Sequence, residues 1–210
     1  MRQASNFSDL KFIRHGFFNA TDSKAVTEPI LMNQVHSVDV LFLTEPPIEP
    51  PAVDALITQT PNLNLTVKTA DCAPILLVDP SSRMIAAVHA GWRGAFQGII
   101  EATVLEMIRH GARLETIRAG IGPHIQQQSF EIGPETKALF PVTEHHFFIK
   151  NQDRDYFDFD AYVRHRLKRA GISNIESTGE DTVSDLSYNS FRRNQTPDRQ
   201  FSSIMITEAL

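Results

Sequence analysis

The chain has 210 residues and a mass of 23.6 kDa; 41% of the residues are apolar, 21% are charged, the net charge is −5 and the pI is near 5.9. That size and balance fit one folded domain over residues 1–210 with a substantial buried core, and they give no footprint for nucleic acid or for an anionic membrane surface. The single cysteine excludes an internal disulfide, and no segment approaches the roughly 20 apolar residues that cross a bilayer, so a cytoplasmic protein is expected.

The opening MRQASNFSDLKF has no uninterrupted apolar run of the kind a secretion signal carries. VDVLFLT (38–44) and DALIT (54–58) read as strands. TEPPIEPP (44–51) separates them, and its prolines fit only a surface loop. LNLTVKTA (63–70) alternates and PILLVDP (74–80) is continuously apolar. MIAAVHA (84–90) follows a short SSR turn, so the last two runs predict a hairpin.

The period then changes. In GAFQGIIEATVLEMIRHG (94–111), Phe96, Ile99, Ile100, Thr103, Val104, Met107 and Ile108 recur at three- and four-residue steps. One amphipathic helix is predicted, with Arg109 and His110 in its last turn and Gly111 as its stop. TIRAGIG (116–122) reads as a strand, and PETKALF (134–140) as a short helix opened by proline. DAYVRHRLKRAG (160–171) reads as a helix capped by Asp160 and stopped by Gly171, and its basic RHRLKR (164–169) as a solvated face. SSIMIT (202–207) closes the chain as a strand. Strands and helices do not alternate one for one, so the expected class is α+β, with mixed sheets flanked by helices.

Three features carry chemistry: Cys72, VHAGWRG (88–94) and the histidine of NQVHS (33–37). His89 ends a predicted strand before a glycine-rich turn into the long helix. The helix start, with Gly91, Gly94 and Arg93, forms an anion site by its dipole and amides. Neither a Walker A nor a dinucleotide fingerprint is present. Cys72 with His36 and His89 is a sufficient ligand set for zinc, leaving a fourth position for water. Cys72 with one histidine and Asp71 or Asp54 is equally a nucleophile, base and orienter. A lone cysteine is more often a small buried residue than either, and separations of 36 and 17 residues between the three do not choose.

The motifs NQVHS, DALIT, KTADCAPILLVDP, AAVHAGWRG and GIGPHI…FEIGPE, in this order, resemble the laccase-domain family. Its members were first described as multicopper polyphenol oxidases. They are now regarded as purine nucleoside phosphorylases with adenosine deaminase and methylthioadenosine phosphorylase activity, and some are called peptidoglycan editing factors. The resemblance runs from HGFF (15–18) to SIMI (203–206). It implies that His36, Cys72 and His89 bind one zinc ion, with copper as a possible replacement. Catalytic roles then fall to Cys72, Asp71 and Arg93. Phosphate or substrate contacts fall to Arg93, Gly91, Gly94 and, from SFRR (190–193), to Arg192 and Arg193. The implied partners are a purine nucleoside and phosphate, with no nucleic acid or membrane, acting on a monomer or weak homodimer.

Composition speaks against the older oxidase name. A blue multicopper oxidase holds about four coppers with roughly ten histidines, many in HxH pairs. This chain has eight histidines and no HxH. The sequence also departs from the family pattern. The segment between HGFF and QVH is short and lacks a glycine pair and an arginine, GPHIQ places His124 and Gln126 where many members have a cysteine and a glycine, and DT (181–182) stands for a cysteine-threonine pair. A metal-free cysteine hydrolase or amidase acting on peptidoglycan precursors, and a non-enzymatic nucleoside-binding paralogue, are the alternatives.

Overall fold

The structure is a computed structural model that describes residues 1–207. In chain order its strands are β1 (Ile13–Phe17), β2 (Pro29–Ile30), β3 (Val40–Leu43), β4 (Ala55–Thr58), β5 (Asn64–Thr69), β6 (Ala73–Asp79) and β7 (Met84–Ala90). They continue as β8 (Arg118–Ile121), β9 (Glu131–Ile132), β10 (Phe148–Asn151), β11 (Arg154–Phe157), β12 (Asn174–Ser177) and β13 (Gln200–Ile206). The helices are α1 (Trp92–Gln97), α2 (Ile99–Arg109), α3 (Pro134–Lys137), α4 (Phe159–Arg169) and α5 (Phe191–Asn194). This is the mixed α+β architecture expected. No helix among the described residues is long and apolar enough to cross a membrane.

The central sheet has the order β12-β8-β6-β7-β4-β3, and a second sheet the order β1-β13-β5-β2. β6 and β7 form the predicted hairpin, antiparallel from Ala73↔Ala90 to Asp79↔Met84. Their unbroken apolar runs follow from burial on both faces. Ala73, Ile75, Leu77, Met84, Ala86 and Val88 pack under α2 and α4, whereas Leu76, Val78, Ile85 and Ala87 pack towards Leu65, Val67 and Ile204 of the second sheet. A strand covered on both sides has no polar face to alternate. The proline-rich segment is indeed irregular, with Ile48 fully exposed. It crosses over between β3 and β4, which pair in parallel.

Four expectations are corrected. The single helix over 94–111 is two helices that break at Gly98, whose φ of 110° is a left-handed conformation that side-chain-bearing residues rarely adopt. The periodicity misses the break because Ala95, Ile99 and Ile100 still face the same core. Asp158, not Asp160, caps α4 by accepting from the Ala161 amide at 3.0 Å. Asp160 lies within the first turn, pairing with Arg164 at 2.6 Å and accepting the Ser177 hydroxyl at 2.5 Å. RHRLKR is not wholly a solvated face. Arg166 is buried, ion-paired to Glu101 and bonded to the Phe96 carbonyl and the Tyr162 hydroxyl. PETKALF is helical only over Pro134–Lys137, because Phe140 leaves the helix to enter the core among Phe96, Phe148 and Phe157.

The turn of the β6–β7 hairpin is fixed from within. Asp79 is fully buried and accepts from the amides and hydroxyls of Ser81 and Ser82, from the Arg113 amide at 3.0 Å and from the Thr116 hydroxyl at 2.5 Å. Thr116 is therefore part of a turn, and β8 begins at Arg118. Burial pushes the Asp79 carboxyl up, but the bonds from Ser82, Thr116, Arg113 and Ser81 outweigh it and bring the pKa from 3.8 to about 2. A depressed carboxyl pKa stabilises the fold fully above the unfolded value of 3.8, and that stability is lost as pH falls towards the folded value. Asp79→Asn is expected to cost about 2 kcal/mol at neutral pH in urea unfolding, and the gap from the parent is expected to close between about pH 4 and pH 2.

Candidate metal centre and cleft

The hairpin end, the β5–β6 turn and the loop before β3 meet at one point. His89 is next to last in β7, opposite Pro74 of β6. Cys72 closes the β5–β6 turn, in which Asp71 takes φ 84°, and His36, at φ 59°, lies on the 33–37 loop. The donor atoms of His36, Cys72 and His89 lie within 4.8 Å of one another. The two imidazoles meet edge to face with centroids 4.8 Å apart. Among the described residues this is the one group of three or more histidine, cysteine and acidic side chains placed to hold a metal.

Asp54 assembles the group. Its buried carboxylate accepts from the amides of Val35 (3.2 Å), His36 (3.1 Å) and Ser37 (2.6 Å), from the Ser37 hydroxyl (3.0 Å) and from Nδ1 of His89 (2.7 Å). It thus ties the loop that carries His36 to the strand that carries His89. With Nδ1–H given to Asp54, the Nε2 of His89 is left for the cluster, the arrangement that orients a ligating histidine. Burial raises the Asp54 carboxyl, yet the bonds from His89 and Ser37 bring it down to about 2. Burial also opposes charge on His89, but the Cys72 sulfur and Asp54 raise it to about 9. His36 is lowered by burial and then by its neighbour His89.

Gln34 holds the same loop from the other side. Its side chain donates to the Lys68 carbonyl at 2.7 Å and accepts from the Lys68 amide at 2.9 Å, extending the β5 ladder by one rung. Gly91 separates the ligands from α1. A Cβ there would lie 2.6 Å from Nδ1 of His36 and 3.3 Å from Sγ of Cys72, so only glycine lets these groups close in. Gly94 is buried beside the Ser37 carbonyl. Close packing thus explains Gly91, whereas a Cβ at Gly94 would make only ordinary contact with the Ser37 carbonyl and Ile99. The helix these glycines open has six residues, not the long dipole that a phosphate cradle was expected to use.

The trio opens into a cleft of about 730 Å³. Lys68, Arg93, Arg192 and Arg199 line it, as do Trp92, Phe130, Phe159 and Phe191. Arg93 lies over the Trp92 ring at 4.7 Å, and Arg192 over Phe130 at 5.4 Å while bonding the Glu131 carbonyl. Arg193 does not line the cleft. Its guanidinium is committed to the carbonyls of Thr182, Val183 and Tyr188. Asp71 touches the cleft, but both its oxygens are taken, by the Thr182 hydroxyl at 2.7 Å and the Arg192 amide at 2.6 Å. The structure therefore gives Asp71 and Thr182 a joining role between the cysteine turn and the C-terminal segment. His124 is fully buried, with Nδ1–H donating to the Gly122 carbonyl at 2.8 Å and its charge disfavoured by burial.

Sequence reasoning weighed Asp54 only as the orienter of a cysteine dyad and did not single out Gln34, Lys68, Trp92, Phe191 or Arg199. The aromatic and basic members carry no local pattern. Gln34 was visible as the residue two before the histidine of QVH.

The family model described as multi-copper polyphenol oxidoreductase laccase matches residues 14–207. The chain is 36% identical to a purine nucleoside phosphorylase of Rickettsia conorii over 170 residues, covering 78% of this chain and 70% of the relative. It is 33% identical to the purine nucleoside phosphorylase YfiH of Escherichia coli over 184 residues, 86% and 74% of the two chains. It is 47% identical over 127 residues to adenosine deaminase RL5 of an unknown prokaryotic organism, 57% and 48% of the two. A crystal structure of a Neisseria meningitidis protein superposes with a TM-score of 0.80 at 28% identity, covering 90% of this chain and 78% of that one. YlmD from Geobacillus stearothermophilus shares the fold with a TM-score of 0.83 at 23% identity, over 98% and 94% of the chains.

Loss of the Asp54 charge frees both ligand-bearing segments at once. Asp54→Asn is expected to lower metal affinity by about 10- to 100-fold in a chelator competition, with the far-UV circular dichroism of the parent retained.

Proposed function

The chain belongs to the multi-copper polyphenol oxidoreductase laccase family, whose model spans residues 14–207, and from that premise we propose that it is a zinc-dependent purine nucleoside phosphorylase. Adenosine deamination and methylthioadenosine phosphorolysis complete the proposed activity. The observation that carries the proposal is the His36–Cys72–His89 trio at the floor of a cation-lined cleft. The names of the relatives, purine nucleoside phosphorylase and adenosine deaminase, support it.

The donor set suits zinc on chemical grounds: two imidazoles, one thiol, the Asp54 carboxylate orienting His89, and a cleft that leaves room for water. Copper accepts the same donors. A multicopper oxidase would need several further sites, and the described residues bring together only this one. His36, Cys72 and His89 would hold the zinc ion, which would supply Lewis acidity that lowers the pKa of water towards neutrality, the requirement for replacing the C6 amine of adenosine by oxygen with release of ammonia.

The protein's own groups do the rest. Phosphorolysis replaces the C1′–N9 bond by a C1′–O bond to phosphate. Arg93, exposed on α1, and Lys68, at the end of β5, are the cations that would hold that phosphate, with Arg192 and Arg199 lining the same cleft. Small molecules are the proposed partners, and the cytoplasm, with a monomer or weak homodimer, is the proposed setting.

One arrangement favours a second reading. Asp54, His89 and Cys72 stand in sequence, as an orienter, base and thiol would in a metal-free cysteine hydrolase. The readings differ in their need for His36. Metal analysis of the purified protein is expected to find stoichiometric zinc, with turnover of adenosine plus phosphate. Cys72→Ser and His36→Ala are both expected to lose metal and activity together. A parent without metal, or undiminished turnover in His36→Ala, contradicts the zinc reading.

A further inference from the structure

Of the four aromatic rings in the cleft, three are spoken for. Phe130 and Phe159 are 7% and 1% exposed, and Phe130 carries the Arg192 guanidinium on its ring. Trp92 is half-buried and carries Arg93. Phe191 is 53% exposed, and among the described residues it has no ring or cation partner.

The segment that presents this ring is held firmly. The Asp71 carboxylate binds the amide of the next residue, Arg192, at 2.6 Å, and the buried Ser190 hydroxyl caps the turn through the Arg193 amide at 3.0 Å. Arg193 then spans three carbonyls at 3.0, 2.8 and 2.7 Å. Asp71 is the neighbour of Cys72, so this scaffold fixes the ring relative to the metal trio. A nearly buried carboxylate and an arginine are thus committed to holding an uncovered phenyl ring at the mouth of the cleft. A ring left half exposed gains less from folding than a buried one, whereas a rigidly held one offers a stacking face to a flat heterocycle at little entropic cost.

We infer that Phe191 is the stacking platform for the purine base, and so a substrate-positioning residue of the site. This rests on the nucleoside reading above. The platform recognises the π face of the base and is indifferent to the ribose and the phosphate. It accepts adenine and hypoxanthine alike, since stacking reads no hydrogen-bond pattern.

Trp92, the only tryptophan, lines the same cleft and reports its occupancy by fluorescence. The test is titration of the metal-loaded protein with adenine, and separately with inorganic phosphate, for the parent, Phe191→Ala and Phe191→Tyr. Phe191→Ala is expected to weaken adenine binding by about tenfold to a hundredfold, and Phe191→Tyr to stay within about threefold of the parent. Phosphate affinity is expected to be unchanged in all three. In turnover, Phe191→Ala is expected to raise the KM for adenosine by the same factor, with kcat within about threefold. Equal adenine affinity in the parent and Phe191→Ala would overturn the platform and leave the nucleoside reading standing. Absence of adenine and adenosine binding in the parent would overturn both.

Discussion

One buried carboxylate organises the functional end of this molecule. Asp54 gathers three successive amides and a hydroxyl from the 35–37 loop and one imidazole nitrogen from β7. A carboxylate removed from water needs such a set of donors, since an unpaired buried charge is far more costly than a neutral group. His36 is held at a φ of 59°, a conformation that a residue with a side chain adopts only when its surroundings impose it. The amides bound to Asp54 are that imposition. The same residue fixes the tautomer of His89. Ligand placement and ligand chemistry therefore depend on one group that lies outside the trio.

The fold supplies the rigid ground for this arrangement. β6 and β7 are covered on both faces, and their hairpin brings the end carrying His89 beside the turn carrying Cys72. Asp79 closes the hairpin at one end, and His89 of the His36–Cys72–His89 group lies at the other. Asp71 continues the chain of constraints outward, from the cysteine turn to the segment bearing Arg192 and Phe191. Two segments that line the cleft are therefore held by acids, the 35–37 loop by Asp54 and the Phe191–Arg192 segment by Asp71.

Much of this was legible in the sequence, for identifiable reasons. Strands covered on both faces announce themselves as continuous apolar runs, so 74–80 and 84–90 read correctly. The helical face over 94–111 read correctly in direction and incorrectly in continuity, because a left-handed glycine at 98 leaves the spacing of buried residues intact. In YFDFDAY the cap was read as Asp160, and it is Asp158. The core position of Phe159 decides it. Arg166 looked solvated because its partners, Glu101 and Phe96, are far away in sequence. The metal trio was chemically allowed by its residue types and selected only by resemblance, since its spacings carry no information. The second role of Asp54, holding the His36 loop, had no local signature at all.

The chemistry of the cleft depends on what His36, Cys72 and His89 hold. A zinc-edge X-ray absorption spectrum of the protein as isolated reads that ligand set directly. The expected first shell contains one sulfur at about 2.3 Å and two nitrogens at about 2.0–2.1 Å, with a light atom completing it. A shell of oxygen and nitrogen without sulfur, or a protein that binds no metal, would contradict the account.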